Sequence, residues 1–302
     1  MQMLACFYYN MNIKQLIIEF NAAPGYPLDD MKRMRILIFL VLVQVMGCTN
    51  LLFYPMKNQV ITPDQLGIRY DDVYLSTEDN RQLHGWKLYA VTQPLGTILY
   101  FHGNAENIST HFANVSWLTK HGYDVYLYDY RGYGKSEGQA DLDLIIKDAE
   151  AMIGDVVGRQ AVENIIVIGQ SLGASIAIYA VAHTKYKKNI TALISISAFS
   201  DYRAVTQDAL SKSWLFWLFQ WPLSYTISNQ YSPIKSVADV SPIPIFIMHS
   251  PDDEMIDVYH AERLLKEADE PKQLLVLQGG HNTIFNYENN RKTLLESLDS
   301  LN

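Results

Sequence analysis

Ser171, His281 and the acidic run Asp252-Asp253-Glu254 are the residues of this chain whose types could carry out nucleophilic chemistry together. A serine hydroxyl is a weak nucleophile until a histidine takes its proton. The histidine in turn needs a carboxylate to fix its tautomer and orientation. Ser171 lies in Gly169-Gln170-Ser171-Leu172-Gly173, a G-x-S-x-G pattern. The apolar run 165–168 before it reads as a buried parallel strand, and a helix follows to about His183. A strand, a sharp turn and a helix lift one side chain above the sheet. Gly169 and Gly173 omit the Cβ atoms that would collide in so tight a turn. The backbone N–H of Leu172, at the helix start, is then available to a developing oxyanion.

On such a scaffold the chain order is serine, then acid, then histidine. His281 follows a strand and the pair Gly279-Gly280, which lets a loop carry the imidazole over the sheet edge. There are eight histidines, so this placement, rather than the residue type, selects His281 as the base. His102 and His249 also end strands and read as structural residues that shape the neighbouring loops. The acid is open on these grounds: Asp252, Asp253 and Glu254 are adjacent, and Asp201 follows the preceding strand.

The elements that must position these groups alternate. Residues 68–76 and 81–91 alternate apolar and polar side chains around Thr77-Glu78-Asp79-Asn80, a hairpin signal. Further strands are expected at 97–101, 125–128, 192–196, 242–248 and 273–277. Helices are expected at 108–120, 141–157, 258–268 and 283–300. This alternation predicts a mostly parallel, doubly wound sheet beginning with antiparallel strands. Asp129 to Gly138 is glycine-rich but lacks the spacing of a phosphate-binding loop, and reads as a turn beside the site. Residues 199–232 form an aromatic-rich lid insertion centred on Trp214-Leu215-Phe216-Trp217-Leu218-Phe219-Gln220-Trp221. The expectation is that most of these rings pack on the domain's own core, with an exposed remainder walling an acyl slot or touching a membrane.

The chain has 302 residues, 49% of them hydrophobic, enough for one sizeable α/β domain. A net charge of -8 gives no electrostatic footprint for nucleic acid. The two cysteines, Cys6 and Cys48, have no ligand-spaced neighbours, so neither a metal site nor a disulfide framework is expected. Met31-Lys32-Arg33-Met34-Arg35 precedes an apolar run at 36–46, too short to span a bilayer as a helix. Basic residues, an apolar run and a small residue read as a secretory signal over 31–47. Its end, Val45-Met46-Gly47-Cys48, resembles the lipobox of bacterial lipoproteins, which implies lipidation of Cys48 and anchoring in the cell envelope. In that reading translation starts at Met31 and residues 1–30 are an upstream extension. Residues 48–67 are then a lead-in and 68–302 the catalytic domain. A plain cleaved signal or an uncleaved anchor is the alternative.

Five motifs occur in order: His102-Gly103-Asn104; Asp129-Tyr130-Arg131-Gly132-Tyr133-Gly134-x-Ser136; Gly169-x-Ser171-x-Gly173; His249-x-x-x-Asp253; and Gly280-His281. Over about 68–300 this set resembles the α/β-hydrolase superfamily. It is closest to the subgroup whose first oxyanion loop reads H-G-N, similar to serine aminopeptidase-like hydrolases and depalmitoylating thioesterases. The resemblance implies Ser171 as nucleophile, Asp253 as acid and His281 as base. It implies an oxyanion hole made by the N–H groups of Leu172 and Asn104, with Ala105 as the alternative to Asn104. Asp252 and Glu254 become a solvated face and a helix-entry charge. At position 250 the family carries glycine and this chain carries Ser250. The function implied is a serine hydrolase acting on an ester or thioester of a small acyl substrate, with no cofactor. A peptidase or amidase using the same triad, or a non-catalytic envelope scaffold, is the alternative.

Overall fold

The computed structural model describes residues 53–159, 164–212, 217 and 220–301. Cys48 and the whole of 31–47 lie outside the described residues, as do five members of the aromatic run, Trp214, Leu215, Phe216, Leu218 and Phe219.

Eight strands form one sheet: β1 (Tyr70–Ser76), β2 (Gln82–Leu88), β3 (Gly96–Phe101), β4 (Tyr123–Tyr128), β5 (Ile165–Gln170), β6 (Ile190–Ile196), β7 (Ile245–His249) and β8 (Lys272–Val276). Their spatial order is β1-β2-β4-β3-β5-β6-β7-β8. β2 pairs antiparallel with β1 and with β4, and every other pairing is parallel. This is the α/β-hydrolase arrangement expected. The central strands β3, β4 and β5 are buried at every residue, as a parallel sheet covered on both faces requires. Side chains alternate between two cores. Leu99, Phe101, Ile165 and Val167 enter one; Ile98, Tyr100, Ile166 and Ile168 enter the other.

Seven helices are named here: α1 (Ile108–His111), α2 (Leu142–Arg159), α3 (Leu172–His183), α4 (Tyr202–Ser211), α5 (Gln220–Ser224), α6 (Tyr259–Glu267) and α7 (Glu288–Asp299). α3 is apolar almost all round and buried to match, so it is the helix packed most deeply against β5. α2 presents Ile145, Ala149, Met152, Ile153 and Val156 to the same core.

Two expected helices are shorter than the periodicity implied. The expected helix 108–120 is α1 followed by 3-10 turns at Phe112–Asn114 and Ser116–His121. Side chains compete for its backbone carbonyls: Trp117 Nε1–H donates to Asn114 O at 2.8 Å, and Thr119 Oγ1–H to Ser116 O at 2.7 Å. The helix expected at 283–300 starts only at Glu288. The Asn290 carboxamide donates to Gln278 O and Ile284 O, both at 2.8 Å, and holds the preceding loop against the sheet.

Candidate active site

Strand order reverses between β3 and β5, since β4 lies to one side of β3 and β5 to the other. In a doubly wound sheet that reversal opens a crevice beyond the carboxyl ends of the strands. The loop after β3 is His102-Gly103-Asn104, and the turn after β5 carries Ser171.

Ser171 has φ 55° and ψ -121°, an unfavourable backbone for a residue with a Cβ. Its surroundings hold it there. Ser171 N–H donates to Ile196 O at 2.8 Å, tying the turn to β6. The flanking glycines let α3 close onto the sheet: a Cβ on Gly173 would lie 2.2 Å from Phe101 O and 2.3 Å from His102 O. On Gly169 it would lie 2.5 Å from Ala174 Cα.

His281 stands between serine and acid. Its Nδ1 lies 2.7 Å from Asp253 Oδ2 and its Nε2 lies 2.9 Å from Ser171 Oγ. A carboxylate only accepts, so Nδ1 carries the proton and the Nε2 lone pair faces the serine hydroxyl. Asp253 Oδ1 accepts the N–H groups of Met255 at 3.0 Å and Ile256 at 2.8 Å. Burial pushes the Asp253 carboxyl up, but the His281 hydrogen bond and charge and the Ile256 N–H outweigh it. The group is held below the usual carboxylate range. Ser250 fits where the family has glycine: it is fully buried, and its Oγ accepts Asp252 N–H at 3.2 Å.

The remaining acids separate cleanly. Asp252 is exposed, as expected. Glu254 is not a helix-entry charge. Its Oε2 accepts the backbone N–H of His281 at 3.2 Å and sits over Gly280, where a Cβ would come within 2.4 Å of it. Glu254 therefore braces the histidine loop, a contact between distant loops that no local sequence signal carries. Asp201 caps α4, accepting Ala204 N–H at 2.8 Å and the Asn229 carboxamide at 2.5 Å, and takes no part in the relay.

Leu172 is the first residue of α3, so its N–H has no intrahelical acceptor. Asn104 Oδ1 accepts Tyr54 N–H at 3.1 Å, Ala105 N–H at 2.8 Å and Tyr133 O–H at 2.9 Å. The Ala105 N–H is thus engaged by its neighbour's side chain. Gly103 lies beside Ser171; a Cβ there would be 3.7 Å from Ser171 Cβ.

A second string of the same residue types was not expected: Ser200, His260 and Asp208. Ser200 donates both its N–H, at 3.1 Å, and its Oγ–H, at 2.9 Å, to His260 Nδ1. His260 Nε2–H donates to Asp208 Oδ2 at 3.0 Å. Ser200 is fully buried, so this string cannot meet a substrate; it locks α4 against α6.

Residues 92–232 match the family model for serine aminopeptidase, S33. The uncharacterized protein YfhR of Escherichia coli O157:H7 is 31% identical over 237 residues, covering 76% of this chain and 78% of that protein. The chain belongs to the α/β hydrolases of the serine aminopeptidase S33 family. An uncharacterized membrane protein of Saccharomyces cerevisiae, YNL320W, is 27% identical over 223 residues, covering 71% of this chain and 75% of that one. Among solved structures, the Pyrococcus furiosus esterase Pf2001 superposes with a TM-score of 0.65 at 24% identity, covering 81% of this chain and 95% of that one.

In this hydrolase the described aromatics of 199–232 divide: Phe199 and Tyr202 are buried in the core and Tyr231 packs against it. Trp217, Trp221 and Tyr225 are 56%, 60% and 62% exposed. α4 and α5 pack on each other, and Gln207 Nε2–H donates to Ser224 Oγ at 2.9 Å. Lys212 Nζ donates to Glu254 O at 2.6 Å, tying the end of α4 to the acid loop. Among the described residues no cluster of His, Cys, Asp or Glu has the form of a metal site.

Buried histidines also set how this hydrolase responds to acid. Burial, the largest cause in each case, lowers the pKa of His102, His111, His249 and His260 from the ordinary 6.5. The N–H bonds of His102 Nδ1 to Gly103 O at 2.7 Å and of His249 Nε2 to Ile256 O at 2.8 Å act the other way, but burial outweighs them. Below pH 6.5 the unfolded chain binds protons at these residues that the folded chain does not. Stability is therefore fully present above that pH and falls as the medium is acidified. The limit is about 1.4 kcal/mol per pH unit for each histidine. Urea midpoints measured from pH ~8 to ~5 are expected to be level at first and then to drop. A midpoint unchanged across the range contradicts this account.

Proposed function

We propose that this chain is a serine hydrolase that cleaves carboxylic esters or thioesters through an acyl-enzyme on Ser171. The observation that carries the reading is the continuous relay from Ser171 Oγ through His281 to Asp253, at 2.9 Å and 2.7 Å. In it, Ser171 Oγ attacks the acyl carbonyl carbon while His281 Nε2 takes the hydroxyl proton. The carbonyl oxygen becomes an oxyanion, which the N–H groups of Leu172 and Asn104 stabilise. The imidazolium is stabilised by Asp253 and passes its proton to the leaving alcohol or thiol. Water then attacks the acyl-enzyme, giving its proton to His281, and the acid departs as Ser171 is reprotonated.

The family description favours a second reading, a peptidase. That reading calls for a recessed acid to meet a free amine. Asp201 is committed to capping α4, and Glu106 is exposed. Ester and thioester cleavage is therefore preferred, in keeping with the esterase name of the Pyrococcus structure. A fluorophosphonate probe tests the nucleophile. The full chain is expected to label covalently and Ser171→Ala is not; a folded wild type that stays unlabelled removes the reading.

The second part of the proposal is location. Residues 31–47 serve as an export signal and Cys48 as the lipidated residue, so the enzyme sits on a membrane of the cell envelope. The name of the yeast relative agrees with membrane association. Replacing Cys48 with serine is expected to move the chain from the membrane pellet to the soluble fraction. Retention in the pellet counts against lipidation.

A further inference from the structure

The loop after β3 is under-supported by its own residues. Ala105 and Glu106 have φ 59° and 57°, two consecutive left-handed residues, neither of them glycine. Each such residue costs on the order of 1 kcal/mol, so the loop persists only where other groups over-determine it.

Those groups come from the lead-in. Phe53 is buried in the core and starts a segment that runs along the loop. Tyr54 N–H donates to Asn104 Oδ1 at 3.1 Å, and Met56 N–H to Glu106 O at 3.1 Å. The Asn107 carboxamide nitrogen donates to Met56 O at 2.9 Å and Asn58 O at 2.8 Å. Met56 O also accepts Gly134 N–H at 2.9 Å, and Val60 N–H donates to Ser109 Oγ at 2.9 Å. Asn107 is fully buried, and its Oδ1 caps α1 by accepting Ser109 N–H at 2.9 Å. One side chain therefore joins three things: the lead-in, the strained loop and the first turn of α1.

We infer that residues 54–60 are a positioning strap for the oxyanion loop, fastened by Asn107. The inference rests on the serine-hydrolase reading above. Asn104 and Ala105 lie between the two points where the strap holds the loop, Asn104 Oδ1 and Glu106 O. The strap thus fixes the direction of the Asn104 N–H relative to Ser171. Asn107 does not touch substrate and is a positioning residue. A donor aimed at an oxyanion acts in the transition state and not in the bound ester, so loosening it lowers kcat and leaves KM alone.

The test is Asn107→Asp in the full chain. The aspartate keeps the Oδ1 cap on α1 and replaces the donor that faces two carbonyl oxygens with an acceptor. On a p-nitrophenyl ester, kcat is expected to fall by about 10- to 100-fold with KM within about twofold. The inhibition constant of a trifluoromethyl ketone, which mimics the tetrahedral oxyanion, is expected to rise by the same factor. Asn107→Ser also keeps a cap acceptor while losing the strap donor. It should show the same split, and it decides the matter if the aspartate variant does not fold. An unchanged kcat overturns the strap, as does a fall in kcat with no weakening of the ketone. A wild type that neither turns over esters nor labels with fluorophosphonate defeats the underlying reading instead, so the two failures are distinguishable.

Discussion

Alanine at Ser171 is expected to lower kcat on an activated ester by about 10⁶-fold, and alanine at His281 by about as much. The double variant is expected to be no worse than either alone. The reason is geometric. His281 has one Nε2 lone pair, and it faces Ser171 Oγ at 2.9 Å, so removing either partner leaves nothing for the other to do. Residual turnover would come from binding and the oxyanion donors. Steady-state kinetics on the two single variants and the double variant test this. A double variant slowed by the product of the single effects would mean that the groups act independently. A nearly active His281→Ala would assign the base to another residue. Asp253→Asn should cost less than either but still orders of magnitude, because an amide can donate to Nδ1 and so favours the wrong tautomer.

Gly173→Ala should be among the most damaging single-methyl changes in the domain. The new Cβ would lie 2.2 Å from Phe101 O and 2.3 Å from His102 O. Both are backbone atoms at the end of β3, so no side chain can rotate away. Relief requires α3 to back off the sheet or β3 to shift, and either move separates the serine turn from the loop after β3. Overpacking against side chains costs about 1–3 kcal/mol; against rigid backbone the expected cost is above about 4 kcal/mol. Gly158 provides the contrast. It is exposed near the end of α2, and a Cβ there meets nothing within 4 Å. Gly158→Ala is expected to stabilise by about 0.4–1 kcal/mol through helix propensity and a less disordered unfolded chain. Thermal or urea unfolding of the two variants decides the point. Wild-type stability in Gly173→Ala would show that the helix is not held as closely as described.

The relay was legible in the sequence because each member follows a strand, and a strand's end is one of the few places a local pattern locates in space. Ser171 between two glycines and His281 after Gly279-Gly280 carry their own backbone signals. Asp253 was harder to assign. Three adjacent acids look alike in composition, and only the turn after β7 decides which one points at Nδ1. Glu254, Asn107 and the Ser200–His260–Asp208 string left no trace in the pattern. Their roles depend on partners 27, 51 and 60 residues away in the chain. The helix after β3 was overcalled for a related reason: periodicity reports an apolar face but not the side-chain bonds that break the ladder. A cluster of rings in the sequence does not say which of its members face outward: Phe199 and Tyr202 are buried, whereas Trp217, Trp221 and Tyr225 are exposed.

Six Cα-to-Cα steps lead from Cys48 to Tyr54, whose backbone is pinned to the loop after β3. A fully extended chain of that length reaches about 21 Å. With an acyl chain on Cys48, this leash is shorter than the bilayer's hydrocarbon core is thick, about 30 Å. In the lipidated form proposed above, the loop after β3 would stay within about that reach of the lipid surface. For that anchored form, the surface density of substrate, rather than its bulk concentration, would govern turnover.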